Sequence, residues 1–415
     1  MSEMKKREVK LGDIITYNKG YAFKSNEYTN TGKMVVRITD FTLDSISDND
    51  SVYLEPNDKY KKFIINTNDI LIQTVGSWAN NPNSIVGKVV RVPDKCDKAY
   101  LNQNIVRIIP NKDFDNTYLY YALKANQFSM YCVLRGQGAA NQASITLATI
   151  FKFKFRAHFF SEQKRIADIL SAYDNLIENN NKRIKLLERM AENLYKEWFV
   201  RFRFPGYEDE HFIEDIPSSW NYVQLGDIAT FDRGISYSSK EINCDDGINL
   251  INLKNIRSYG GFRRDGTKQY NGKYKDSQIV VAGDLILGVT DMTQDRRTVG
   301  SVALIPEISG MSVISADLVK LNPKVPNVFF YCMCRYGFYS KYFSQFANGA
   351  NVLHLKPNVL LNKKILLPTA ELIEAFAEKV QPMIDIVNYL NRQNDLLSKQ
   401  RDLLLPRLMS GKLEV

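Results

Sequence analysis

The side chains that most often do chemistry are sparse in this chain. It has 415 residues, three histidines (His158, His211 and His354) and five cysteines. A structural zinc site wants paired Cys or His at knuckle spacing. Only Cys332 and Cys334 lie close, as C-x-C in "YCMCRYGF", while Cys96, Cys132 and Cys244 are scattered. The cysteines therefore read as free buried thiols in a reducing compartment, and no metal is expected. No histidine lies near a second histidine or a cysteine pair. "GQGAAN" (136–141) is glycine-rich but has no following phosphate-binding lysine, and GxxxxGK[ST] is absent. A base-flipping methyltransferase needs a cofactor loop and an Asn/Asp-Pro-Pro-aromatic element. "NNPNS" (80–84) lacks the second proline and the aromatic. Asp284 and Asp291 in "GDLILGVTD" have no lysine beside them to make a metal-dependent nuclease. Asp284 also repeats Asp69 at a strand start, where turn duty is expected. No catalytic residue emerges from the chain.

What remains suits recognition. The net charge is +9 and aromatic residues make up 12%. A basic, Tyr- and Asn-rich chain leans toward nucleic acid. No apolar run reaches about 18 residues, and "MSEMKKREVKLGD" has no apolar h-region. These features point to a cytoplasmic protein without a membrane span.

The elements that must position such groups occur twice. "VKLGDIITYNKGYAFKS" (9–25) returns as "VQLGDIATFDRGISYSS" (223–239), with eight of seventeen positions identical, where chance gives roughly one. The registers agree further on. "INTNDILIQTVGS" (65–77) matches "VVAGDLILGVTDM" (280–292), "VGKVVRVP" (86–93) matches "VGSVALIP" (299–306), and "LNQNIVRIIP" (101–110) matches "ISADLVKLNP" (314–323). This is duplication of a whole domain, too long in period for a solenoid. β-Branched runs such as "MVVRITDF", "DILIQTV" and "GKVVRVP" predict strands. Segments 116–133 and 326–343 predict one helix per copy. Gly20 and Gly234 are expected to permit the turn that follows each opening strand.

Each copy ends in a long helix-periodic segment. In the first, Leu170, Tyr173, Ile177, Asn180, Ile184, Leu187, Ala191, Leu194 and Trp198 recur at 3,4 spacing. In the second, Val380, Met383, Val387, Leu390, Asn394, Leu397, Arg401, Leu404 and Leu408 do the same. Both are narrow coiled-coil seams carrying one Asn near the middle, and they predict antiparallel pairing with each other. Pro382 is expected in a first turn or a kink, with regular helix beginning about there. Roughly 38 helical residues would reach about 57 Å, enough to hold two domains apart. The acidic, Pro- and Gly-bearing stretch 204–220 reads as a hinge. The fold class is thus α+β, with two similar mixed α/β domains separated by two long antiparallel helices in a pseudo-twofold internal repeat. The domains span 1–158 and 221–368, the helices 159–203 and 369–415.

The doubled "LGDI…G" start, the segment "SEQKRIADILSAYDNLIENNNKRIKLLERMAENLYKEWFVRFRFPG" and the terminal "LLLPRLMSGKL" resemble the specificity (S, HsdS) subunits of type I restriction–modification systems. The resemblance implies two target-recognition domains, each reading half of a bipartite double-stranded DNA site. It implies helices that set the gap and dock two modification (M) subunits, which carry S-adenosylmethionine and methylate adenine. Restriction (R) subunits, when present, add ATP- and Mg-dependent translocation and cleavage. The S subunit itself binds no cofactor and has no active site. A stand-alone DNA-binding regulator, and a methyltransferase or nuclease with an unrecognised site, are the alternatives.

Base reading wants Arg, Lys, Asn, Gln, Ser and Thr on loops. Three loops recur at equivalent places. The first follows the glycines: Lys19, Tyr21, Lys24 and Ser25, then Arg233, Tyr237 and Ser239. The second follows the central strand: Gln73, Ser77, Trp78 and Asn80, then Thr290, Asp291, Thr293, Arg296 and Arg297. The third holds Arg135, Gln137, Asn141, Gln142 and Ser144, then Asn348, Asn351, His354 and Lys356.

Overall fold

The computed structural model describes residues 6–415 apart from 43, 49, 79–83, 139–141 and 243–245. The chain divides into two compact units, Met1–Glu178 with Asn394–Val415, and Asn179–Gln393. Each unit therefore combines one mixed domain with a piece of both long helices.

In the first unit the strands Ile15–Lys19, Ile105–Pro110, Ile70–Gln73 and Val89–Arg91 form a four-stranded antiparallel sheet in that order. A second sheet joins Val52–Leu54, Lys33–Val36 and Tyr100–Leu101. The strand "ILIQ" is apolar without alternation because both its faces are covered. Successive side chains point to opposite faces, so Ile70 and Ile72 enter one core cluster and Leu71 another. The first cluster is roofed by the helix Asn116–Lys124, whose Asp115 caps it by accepting from the Tyr118 N–H at 2.8 Å. Arg7–Lys10 pairs with Lys154–Ala157, closing the domain just before the first long helix.

The second unit repeats this plan. Ala229–Arg233, Leu318–Pro323, Leu285–Gly288 and Val302–Leu304 make the matching sheet. Leu285 and Leu287 face one cluster and Ile286 the other. The repeated aspartates do turn duty, as expected. Asp69 accepts from the Asn66 N–H at 2.7 Å and pairs with Arg107 at 3.1 Å. Asp284 accepts from the Val281 N–H at 2.8 Å and pairs with Lys320 at 2.7 Å.

The opening glycines serve a different need from the one expected. Neither has a left-handed backbone. A Cβ at Gly20 would lie 1.9 Å from the Asn102 carbonyl oxygen, and one at Gly234 2.0 Å from that of Ser315. They are kept bare by a close backbone crossing. The predicted helix over 116–133 is two helices, Asn116–Lys124 and Asn126–Arg135, because Ala125 takes an extended conformation (ψ 145°). Its counterpart breaks at Gly337 and Phe338 (φ 66°) into Asn327–Tyr336 and Tyr339–Ser344.

The first long helix runs Phe160–Tyr195, and Arg201 N–H to the Lys196 carbonyl closes a wider π turn beyond it. The second runs unbroken over Ala370–Ser410. It starts well before Pro382, which corrects the sequence expectation. Pro382 is exposed, so the backbone hydrogen bond it removes is lost on the solvent side, where water can replace it. Within each unit the helix pieces run antiparallel. In the first, Leu170 shares a core with Leu405 and Leu408. In the second, Ile184 packs with Val387 and Leu390, and Asn180 donates to Gln393 at 2.8 Å. Stretch 204–220 is packed in the second unit. Phe204 and Trp220 are buried beside Phe199 and Phe376, with a short hairpin, Phe212–Ile213 against Ile216–Pro217, between them.

Candidate nucleic-acid interface

The three loops, distant in sequence, are stitched together by backbone hydrogen bonds. In the first unit the Gly20 N–H donates to the Ile105 carbonyl at 3.1 Å and the Tyr21 N–H to that of Leu101 at 2.9 Å. The Thr74 N–H donates to Asn104 at 2.9 Å, and the Ile145 N–H to Thr74 at 2.9 Å. Ala143 and Ser144 pair antiparallel with Gly76 and Val75. The segment before strand 105–110 thus bridges the first loop to the second, and a two-residue ribbon joins the second to the third.

The second unit uses the same frame. The Gly234 N–H donates to Leu318 at 3.2 Å, Val289 to Asp317 at 2.9 Å and Leu355 to Val289 at 2.8 Å. Thr290 and Asp291 pair with His354 and Leu353. In both third loops a glycine has a backbone few other residues adopt, Gly138 at φ 154° and Gly349 at φ 152°. A Cβ there would fall within 2.1 Å and 1.9 Å of the Gln142 and Val352 carbonyl oxygens.

On this frame Lys19, Tyr21, Lys24, Ser25, Arg135, Gln137, Gln142 and Ser144 are exposed, as are Arg233, Ser239, Thr293, Asn348, Asn351, His354 and Lys356. Ser77, Trp78, Tyr237, Arg296 and Arg297 are half-buried. Asn80 and Asn141 lie outside the described residues. The exposed groups are donors and acceptors able to reach base edges and phosphates. Arg135 lies over the Tyr131 ring at 4.1 Å, which holds its guanidinium in place.

Three of the predicted residues are internal. Gln73 is wholly buried, and its amide donates to the carbonyls of Val75 (2.7 Å) and Ser84 (3.2 Å). Thr290 donates to Asp317 at 3.0 Å. Asp291 accepts from the N–H groups of Thr293 (2.9 Å) and Thr298 (2.7 Å). Burial alone would raise the Asp291 carboxyl, but these bonds hold it below the ordinary carboxylate range. These residues shape the second loop and do not face solvent. Arg296 is also partly structural, donating to the Ser344 carbonyl at 2.6 Å from a left-handed backbone (φ 54°).

Sequence reading missed a basic element beside the first loop. The turn Asp58–Phe63, "DKYKKF", exposes Lys59, Lys61 and Lys62. Tyr60 and Phe63 pack on Tyr21 with ring centroids 5.2 and 5.0 Å apart. Lys59 lies 4.5 Å over Tyr60 and Lys62 5.3 Å over Phe63. The interleaving of lysines and aromatics was the available signal. Elsewhere, no cluster of three or more His, Cys, Asp or Glu among the described residues could hold a metal ion. No helix among them is long and apolar enough to cross a membrane.

Residues 2–189 match the family model described as the type I restriction modification DNA specificity domain. The chain is 24% identical over 436 residues to the specificity subunit of the type I restriction enzyme MjaVIII of Methanocaldococcus jannaschii, covering 98% of this chain and 92% of that relative. It is 27% identical over 332 residues to the MjaIX specificity subunit of the same organism, covering 76% and 73%. In fold it is similar to the crystal structure of the type I restriction–modification system S subunit from M. genitalium, with a TM-score of 0.59 at 15% identity over 98% of this chain and 97% of that one. Residues 2–189 therefore belong to the type I restriction–modification DNA specificity domain family, and the whole chain carries the fold of a type I specificity subunit.

Proposed function

We propose that this chain is the DNA sequence-specificity subunit of a type I restriction–modification assembly, each mixed domain reading one half of a bipartite site. The observation that carries this reading is the stitched three-loop frame. It occurs twice with the same backbone bonds but presents different side chains: Lys19, Tyr21, Lys24, Arg135 and Gln142 in one copy, Arg233, Thr293, Asn351, His354 and Lys356 in the other. A common scaffold with divergent polar tips suits two readers of different sequences. The chemistry then belongs to partners in the prokaryotic cytoplasm. M subunits would supply S-adenosylmethionine and adenine methylation, and R subunits, where present, ATP- and Mg-driven cleavage.

Docking of two M subunits on the long helices is supported by apolar side chains left exposed in each unit. The first exposes Ile169, Leu176, Leu396 and Leu403; the second exposes Leu186, Met190, Ile386 and Tyr389. When the helices are aligned at their first residues, Leu176 corresponds to Ile386 and Leu186 to Leu396.

Sequencing methylated DNA from cells with and without this chain identifies the site. Arg297→Ala in the assembled complex is then expected to cost about tenfold in affinity through one half-site. The loss disappears on a duplex with that half scrambled and persists when the other half is scrambled. Loss that ignores which half is scrambled would refute two separate readers.

A further inference from the structure

Where each mixed domain meets its helix pieces, an ionic joint forms, built around a buried Arg401 in the first copy and half-buried in the second, and one domain-loop residue and one helix residue exchange sign between the copies. In the first unit the helix residue is a cation. Arg401 is 2% exposed and donates to Asp44 at 2.7 Å and to Asp174 at 2.5 Å. Asp44 lies in the loop after the turn Ile38–Asp40 and also pairs with Lys124 at 2.7 Å, at the end of the helix Asn116–Lys124. Burial would raise the Asp44 carboxyl, but Lys124 and Arg401 hold it below the ordinary range. The Tyr121 hydroxyl donates to the other oxygen of Asp174 at 2.5 Å.

In the second unit the helix residue is an anion. Glu188 accepts from Arg335 at 3.2 Å, with Arg257 at 3.8 Å. Arg335 occupies the place of Lys124 in the matching helix Asn327–Tyr336. Arg257 lies in the loop after Leu253–Asn255, the counterpart of Ile38–Asp40. With the long helices aligned at Phe160 and Ala370, Glu188 and Arg401 fall one turn apart. Asp174, on the helix Phe160–Tyr195, is a second acidic partner in the first joint; between the copies the loop residue changes from Asp44 to Arg257 and the helix residue from Arg401 to Glu188. A charge withdrawn from water and left without a balancing partner costs far more than an exposed one, so each joint favours its own domain over the other.

We propose that these joints are a charge key fixing which domain docks on which helix segment. In the first position the second domain would bring Arg257 and Arg335 to Arg401, leaving Asp174 and the exposed Asp402 to balance three cations. In the second position the first domain would set Asp44 beside Glu188, with Lys124, in the place of Arg335, left to balance two carboxylates. Mispairing of the two homologous domains, during folding or between copies of the chain, is disfavoured by unbalanced charge.

The test uses amide hydrogen exchange on the full-length chain. Glu188→Arg should lower protection of 253–258 and 327–336 roughly a hundredfold. Adding Arg335→Glu should restore most of it. A full-length chimera carrying residues 221–368 in place of 1–158 should leave the introduced domain and 394–410 unprotected, and Arg401→Glu should restore them. Two outcomes overturn the proposal: a reversed pair that fails to rescue its single variant, or a chimera protected without Arg401→Glu.

Discussion

Gly20 and Gly234 were recognisable in the sequence as identical members of a repeat, but not for the right reason. A glycine before a polar stretch suggests a turn, whereas the need here is a crossing strand whose carbonyl leaves no room for Cβ, a contact more than eighty residues away along the chain. Gln73 and Asp291 were misread for a related cause. Their types suit base recognition, but both satisfy backbone groups of buried loops, and composition cannot separate those duties. His158 is a satisfied core histidine. It is 1% exposed, and its Nδ1 lies 2.9 Å from the Tyr118 hydroxyl. The hydroxyl also accepts from the His158 backbone N–H at 3.1 Å. Burial, with Lys6 nearby, lowers the His158 pKa to about 4. The unfolded state, titrating near 6.5, takes up the proton first as pH falls. The stabilisation is therefore complete above about pH 6.5 and is lost progressively toward pH 4, amounting to up to about 3 kcal/mol. Urea unfolding across this window should show a shallower pH slope for His158→Gln than for the natural chain.

Among the elements, the long helices were the most legible. Their seams repeat over many turns, and one face must be buried whichever partner it meets. Seam residues from Leu170 to Trp198, and Val380 to Leu408, are buried or half-buried throughout. Pro382 misled because a local rule was set against a cooperative element. The apolar contacts of Ile373, Phe376, Ala377 and Val380 hold helix on the proline's N-terminal side despite the missing donor. Pro382→Ala returns that donor at an exposed site, and thermal unfolding should report stabilisation of about 1–3 kcal/mol. The breaks at Ala125 and Phe338 were invisible for the opposite reason. Apolar periodicity continues across them, and only a change in backbone direction marks the end.

At the scale of the molecule, the duplication carried the domain plan, since alignment of a sequence with itself needs no knowledge of structure. The loop cluster was only half legible. Repetition picked out the loops, but the ribbons that join them are two residues long and leave no pattern. The charge key escaped because its partners lie far apart in sequence and two of them reverse sign between copies. If the helices set the gap between half-sites, as proposed, lengthening both by one heptad should move the preferred gap and leave the half-site sequences alone. Sequencing of methylated sites reads both quantities at once.

The first unit is completed by residues 394–415, whose Leu404, Leu405, Leu408 and Met409 enter the same core as Ile70 and Tyr118. The second unit lies wholly between 179 and 393. During synthesis the domain made first is therefore finished last. For the time taken to translate the whole second copy, its core stands open along the strip those leucines will fill, and the copy begun later can close before it.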